Sequence, residues 1–147
     1  MKVAIMYFSS QHKNTKKLLD ALKETYDVTL FDVTDVKDVE LSDYDIIGLA
    51  SGTYFGNYSK KLLEFAKMHL PQKKKVFLIN TYGALRAIQK DVKKIIADKQ
   101  CELIGYFGCR GYDTYGILKY VGGIAKGHPN QKDIENVKKF LKNIINK

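Results

Sequence analysis

Residues 9–15 read Ser-Ser-Gln-His-Lys-Asn-Thr, a polar turn between the apolar run Val3–Phe8 and a segment of helical period. A buried strand that ends in such a turn presents it at a helix N-terminus. There the first N–H groups lack intrahelical partners, and the peptide dipoles leave partial positive charge. Ser9, Ser10 and Thr15 add hydroxyl donors, Gln11 and Asn14 add amides, and His12 and Lys13 add further N–H groups. The set suits the phosphate of a small ligand, with His12 as a donor to phosphate or ribose. The turn has neither the Gly-rich Lys-Ser/Thr pattern of a triphosphate loop nor the spaced glycines of a dinucleotide fingerprint. The plainer alternative is a polar turn that only caps its helix.

Three other short segments carry chemistry of a second kind. They are Ser51-Gly52-Thr53-Tyr54-Phe55-Gly56, Asn80-Thr81-Tyr82-Gly83, and Gly108-Cys109-Arg110-Gly111-Tyr112. Each follows an apolar run and pairs glycine with an aromatic residue. Glycine lets backbone approach a ligand closely, and aromatic faces stack on flat heterocycles. In an open α/β sheet these segments meet at the carboxyl ends of the strands, where ligands gather. A phosphate turn at one side and planar-ring contacts at the other point to flavin mononucleotide (FMN). Taken singly, Tyr54 and Phe55 could merely cover a sheet edge, and Tyr82 could be a turn residue.

The elements that must position these residues are readable from periodicity. Strand-like runs recur at Val3–Phe8, Val28–Val33, Ile46–Ala50, Val76–Ile79 and Leu103–Phe107. Helical stripes lie between them: Leu18, Leu19, Leu22 and Tyr26, then Leu62, Leu63, Phe65, Ala66 and Leu70. Further on come Leu85, Ile88, Val92, Ile95 and Ile96, and finally Ile134, Val137, Phe140, Leu141 and Ile144. Asn130 is placed to cap the last helix, with Asp133 returning a bond. The connection Asp35–Tyr44 holds at most a brief helix. Strands alternating with helices imply parallel pairing and right-handed crossovers, hence a three-layer α/β/α sandwich formed as a single domain over residues 1–147. The Gly- and aromatic-rich connection 108–129 is long enough to suggest a functional loop.

The chain has 147 residues and a net charge of +9. No run is apolar enough to span a bilayer, so membrane insertion is not expected. Met1 leads straight into the first strand with no room for a signal peptide, and Cys101 and Cys109 fit no metal or redox spacing. A cytoplasmic protein with reduced thiols is expected. The positive charge raises the question of nucleic acid, but the lysines are spread over most helices and no recognised motif accompanies them. His69, at a helix end, and His128, before the last helix, read as structural.

Taken together, the Ser9–Thr15 turn, Ser51–Gly56 and Asn80–Gly83 resemble the three flavin loops of the flavodoxin family. The stretch Cys109–Gly116 with Gly122–Asn130 resembles a subgroup of small microbial flavodoxin-domain proteins. The resemblance covers essentially the whole chain. It implies a five-stranded parallel sheet of order 2-1-3-4-5, non-covalent FMN and a redox role. Two departures stand out. Lys13 lies in a turn where the family commonly carries glycine, so the turn either bends differently or carries strain. The chain is basic where familiar carriers are acidic. Lys13, Lys16, Lys17 and Arg110 should therefore favour added negative charge on a flavin, and acidic partner proteins come into view. The resemblance also implies a peptide after the third strand that reorients on reduction, for which Gly56 is favoured over Gly52.

The function expected is an FMN-binding electron carrier between redox partner proteins, without acid–base catalysis. The alternative is an FMN-dependent NAD(P)H/quinone-type oxidoreductase with residues 112–128 lining a substrate pocket. A phosphoacceptor receiver is disfavoured, because Ser9-Ser10 and Ser51-Gly52 stand where its aspartates belong. Monomer and weak homodimer are both compatible with the sequence.

Overall fold

A computed structural model describes residues 1–9, 13–112, 123 and 125–146. In chain order the elements are β1 (Val3–Phe8), α1 (Asn14–Thr25), β2 (Val28–Asp32), β3 (Ile46–Ser51) and α2 (Lys60–His69). They continue with β4 (Lys75–Tyr82), α3 (Lys90–Asp98), β5 (Glu102–Arg110) and α4 (Gln131–Ile145). All strand pairs are parallel, and the sheet order is β2-β1-β3-β4-β5.

The inner strands are apolar on both faces because helices cover both. Ala4 and Met6 of β1, Ile47 and Leu49 of β3, and Val76 and Leu78 of β4 point into one core, with Leu62 and Ala66 of α2 and Val92 and Ile96 of α3. The alternate residues Val3, Ile5, Ile46, Ala50, Phe77 and Ile79 point into the other, with Leu18, Leu19 and Leu22 of α1 and Val137, Leu141 and Ile144 of α4. Strand period 2 and helix period 3.6 thus close two cores on one sheet. As expected, Asn130 and Asp133 form a reciprocal capping box at α4.

Two expectations need correcting. Leu85 and Ile88 do not belong to the apolar stripe of α3; they are exposed, and the helix begins only at Lys90. Residues 83–88 are held instead by other bonds: the Ile88 N–H donates to the Gly56 carbonyl at 2.7 Å and the Ala87 N–H to Asn80 Oδ1 at 3.1 Å. The strands also run beyond the apolar runs. Asn80, Thr81 and Tyr82 belong to β4 and pair with Gly108, Cys109 and Arg110 of β5. Backbone pairing continues there although the side chains have turned polar. No helix forms between β2 and β3, where the chain makes only turns.

Candidate functional site at the carboxyl edge of the sheet

The parallel registers set Phe8, Ser51, Asn80 and Gly108 in one row across β1, β3, β4 and β5. That row is the threshold of the site, and every loop singled out in the sequence leaves from it. The order of β1 and β3 also places them where the sheet reverses its winding direction, the usual crevice of such sheets.

At the first loop, Ser10, Gln11 and His12 lie outside the described residues. Lys13 enters α1 in the left-handed region, at φ 53° and ψ 38°, with no side-chain capping bond and no acidic residue in the first turn. The chain thus carries the strain that a glycine would avoid. The Lys16 N–H reaches Ser9 Oγ at 3.3 Å. Helices α2 and α4, by contrast, are capped by Ser59 and Asn130. Asn14 donates from Nδ2 to the Tyr112 carbonyl at 2.8 Å, while its Oδ1 is buried without a partner among the described residues. Thr15 is buried, and its hydroxyl meets that of Thr81 at 3.0 Å. Lys16 pairs with Asp20 at 2.8 Å, so part of the positive charge expected near the turn is offset locally.

At the second loop the chain divides its residues between scaffold and surface. Ser51 is buried; its hydroxyl donates to the Gly52 carbonyl at 2.7 Å and accepts from the Ser59 N–H at 2.9 Å. Asn80 is also buried, and its Nδ2 donates to the Ser51 carbonyl at 3.0 Å. Thr53 donates to the Thr81 carbonyl at 3.0 Å. These three polar side chains tie β3, β4 and their loops together. Tyr54 and Asn57 exchange backbone bonds of 2.8 and 3.0 Å around Phe55 and Gly56. Both turn residues have positive φ, 52° and 79°, as a type I′ turn requires. Phe55 at the tip is 89% exposed. The Tyr54 ring meets Phe8 edge-on at 5.3 Å between centroids.

At the third loop Gly83 is buried and Tyr82 half-buried. The Arg86 guanidinium lies over the Tyr82 ring at 5.7 Å and the Tyr106 ring at 5.5 Å. Sequence reading passed over Arg86, since its contact depends on an irregular loop rather than on a helical or strand spacing.

At the fourth loop Gly111 donates to the Tyr82 carbonyl at 2.8 Å, and the Tyr112 N–H to the His128 carbonyl at 2.9 Å. A Cβ at Gly111 would lie 2.6 Å from Asn14 Nδ2, so glycine is what lets this strand end approach α1. Cys109 differs from its neighbours. Its side chain belongs to the α1/α4 core, and burial pushes its thiol up to about 12. His128 bonds Asp133 at 2.7 Å and thereby joins the cap of α4. His69 packs its ring on Phe65 at 4.3 Å and lies 3.4 Å from Asp38, consistent with a structural role.

The layout is therefore that of a three-layer α/β/α protein whose loops converge on the start of α1, where Lys13 supplies no side-chain cap, and on a rim of aromatic rings. The flavodoxin domain family matches over residues 5–121, and the chain belongs to that family. An uncharacterized protein of Methanocaldococcus jannaschii is 36% identical over 148 residues, covering 99% of each chain. Among solved structures, a mutant Fusobacterium nucleatum flavodoxin bound to flavin mononucleotide superposes with a TM-score of 0.63 at 14% identity, covering 96% of this chain and 93% of that one. The rubredoxin:oxygen oxidoreductase of Desulfovibrio gigas gives a TM-score of 0.69 at 18% identity, over 94% of this chain but 33% of that one. At such identities the structural likeness speaks for the fold. Among the described residues, no helix is long and apolar enough to cross a membrane.

Proposed function

We propose that this protein binds one FMN at the carboxyl edge of its sheet and carries electrons between cytoplasmic redox partners, as a single domain. The observation that carries the reading is the convergence of two unlike surfaces at one edge. One is the start of α1, with no side-chain cap from Lys13 and no carboxylate in its first turn. The other is the set of aromatic loops that leave β3, β4 and β5. An anion is favoured at the first by the helix dipole and the backbone N–H groups of the first turn, of which that of Lys16 is shared with Ser9 Oγ. A flat ring is favoured at the second by Tyr54, Phe55, Tyr82 and Tyr112.

FMN supplies one- and two-electron redox chemistry when bound; the protein supplies binding, orientation and field. In this reading Ser9–Thr15 hold the phosphate, with Thr15 and Asn14 anchored from below by Thr81 and Tyr112. Ser51, Thr53 and Asn80 fix the two loops that would grip the ring, rather than touching it themselves. Gly52, Gly56, Gly83 and Gly111 bring backbone close. Cys109 lies in the core behind these loops and is assigned no contact.

The test is direct. Purified protein should be yellow, or should bind added FMN at one per chain with quenching of flavin emission. A colourless protein that leaves FMN fluorescence unchanged refutes the reading. The oxidoreductase reading rests on the same loops. Rapid turnover of a quinone with NAD(P)H, without a second protein, would select it.

A further inference from the structure

We infer that the face running from the Phe55 turn down the groove between α2 and α3 is a docking surface for an acidic protein partner. The inference names the partner chemistry for the electron-carrier reading and rests on it for the partner's redox character. Three of the six exposed large apolar residues of the described chain lie on two loops that are bonded to each other: Phe55 at 89%, Leu85 at 81% and Ile88 at 60%. The Ile88 N–H donates to the Gly56 carbonyl at 2.7 Å, and Asn57 bridges to Ile88, so the loops form one platform. Water-exposed apolar side chains grouped in this way mark interaction sites.

The platform opens into a groove of about 1050 Å³ between α2 and α3. Tyr54 and Phe55 line its head, and Lys60, Lys61, Lys67 and Lys99 its walls. Among the described residues none of these four lysines is ion-paired, whereas Lys94 beside them is matched with Asp98 at 3.0 Å. Glu64 and Asp91 also line the groove, which leaves a positive excess. An apolar centre flanked by unpaired cations complements a partner with carboxylates around an apolar contact. A nucleic acid would use the cations but not the platform.

The experiment titrates the isotope-labelled full-length protein with an oxidised ferredoxin, a small carboxylate-rich iron–sulfur protein, and follows backbone NMR shifts. Binding is read without electron transfer, so a failure of FMN binding, tested separately by reconstitution, does not decide the outcome. Shifts should concentrate in residues 54–67 and 85–99 and weaken with added salt. The double variant Lys60→Glu/Lys67→Glu should raise Kd at least about tenfold. Lys60 lies in the first turn of α2, where the dipole favours an acid, but Lys67 lies in its last turn, where an acid is disfavoured. The backbone spectrum of the free variant is therefore compared with that of the parent protein to confirm the fold. Phe55→Ser and, as a second apolar variant, Leu85→Ser should each raise Kd severalfold. Lys132→Glu/Lys139→Glu on α4 should leave it unchanged. The inference is overturned by the absence of saturable binding up to ~1 mM. Equal loss from the α4 reversal, or displacement by a random-sequence oligonucleotide, overturns it as well.

Discussion

Asn14 Nδ2 donates to the Tyr112 carbonyl at 2.8 Å, a bond between residues 98 positions apart that fastens the first turn of α1 to the chain leaving β5. It changes what Asn14 can do for a ligand. One amide hydrogen is committed to structure, so a phosphate at the turn would meet a braced side chain rather than a mobile one. Pre-organised donors lose less on binding.

The first prediction follows from that brace. Asn14→Ala with Thr15→Ala should weaken FMN far more than riboflavin, which has no phosphate to lose. Each hydrogen bond to a charged group contributes about 1.5–3 kcal/mol, and part of the loss here comes from the slackened turn. Fluorescence titration with both ligands measures it. Unchanged affinity for both would falsify the phosphate assignment.

Gly111 gives a second prediction from the same contact. Alanine there would press its Cβ to 2.6 Å from Asn14 Nδ2 and 2.8 Å from its Cγ. Asn14 must move, and the tie to Tyr112 should break. We expect a loss of about 1–3 kcal/mol by denaturant unfolding, typical of overpacking. An equally stable variant would show that the two segments have room to separate.

The parallel sheet was legible because the strands are apolar on both faces and the helices carry clean stripes; its strand order came only with the resemblance to the flavodoxin family. Leu85 and Ile88 misled for a physical reason: two apolar residues at helical spacing from Val92 were held out of the helix by the Gly56 carbonyl and Asn80. Spacing cannot report a bond to a distant loop, such as that from Ile88 to Gly56. The polar residues at the strand ends were visible, but their division of labour was not. Ser51 and Asn80 face inward and hold loops, Phe55 faces water, and Cys109 turns to the opposite core. The strand alternation at Cys109 was the available clue. At Lys13 the resemblance left two outcomes open, a different bend or strain, and a φ of 53° is the strained one.

The Phe55 turn supplies a third prediction. Phe55 is a bulky residue at φ 52°, and its exposure returns little burial energy for that conformation. A non-glycine residue in the left-handed region costs roughly 1–2 kcal/mol. Phe55→Gly should therefore raise the Tm of the flavin-free protein or leave it unchanged. Gly56→Ala, at φ 79° but in open space, should lower stability by about 1 kcal/mol through backbone strain alone. Thermal unfolding of both variants reads the pair. A lower Tm for Phe55→Gly would mean that the ring contributes packing that outweighs its strain.

The fourth prediction concerns Tyr82. Arg86 lies over its ring at 5.7 Å, and the same guanidinium lies over the Tyr106 ring at 5.5 Å. Arg86→Gln removes the cation and should loosen the ring, at about 0.5–1 kcal/mol for an exposed pair. If Tyr82 flanks a bound flavin, Tyr82→Leu should raise the flavin emission strongly and Arg86→Gln weakly. Matching spectra for Tyr82→Leu and the parent protein would move the stacking role to Tyr54, Phe55 or Tyr112.

The last prediction separates the two cysteines and sets a pH dependence. Cys109 is buried, and burial first, then the nearby charge of Asp133, pushes its thiol from 9.0 up to about 12. Cys101 is only partly buried, with its Sγ 3.2 Å from the Pro71 carbonyl. A thiol reagent at pH 8 should modify Cys101 first and reach Cys109 only on unfolding. The folded protein holds the Cys109 proton more tightly than the unfolded chain does. Between pH 9 and about 12 the folded state therefore binds more protons, and stability must fall as pH rises through that window. Below it, both states carry the proton and Cys109 contributes no slope. Cys109→Ala should remove that part of the alkaline loss measured by urea unfolding, at the expense of a small cavity between β5 and the α1/α4 layer. An identical alkaline slope in the variant would mean that Cys109 does not titrate differently on folding, and rapid labelling of Cys109 at pH 8 would place its thiol outside the core.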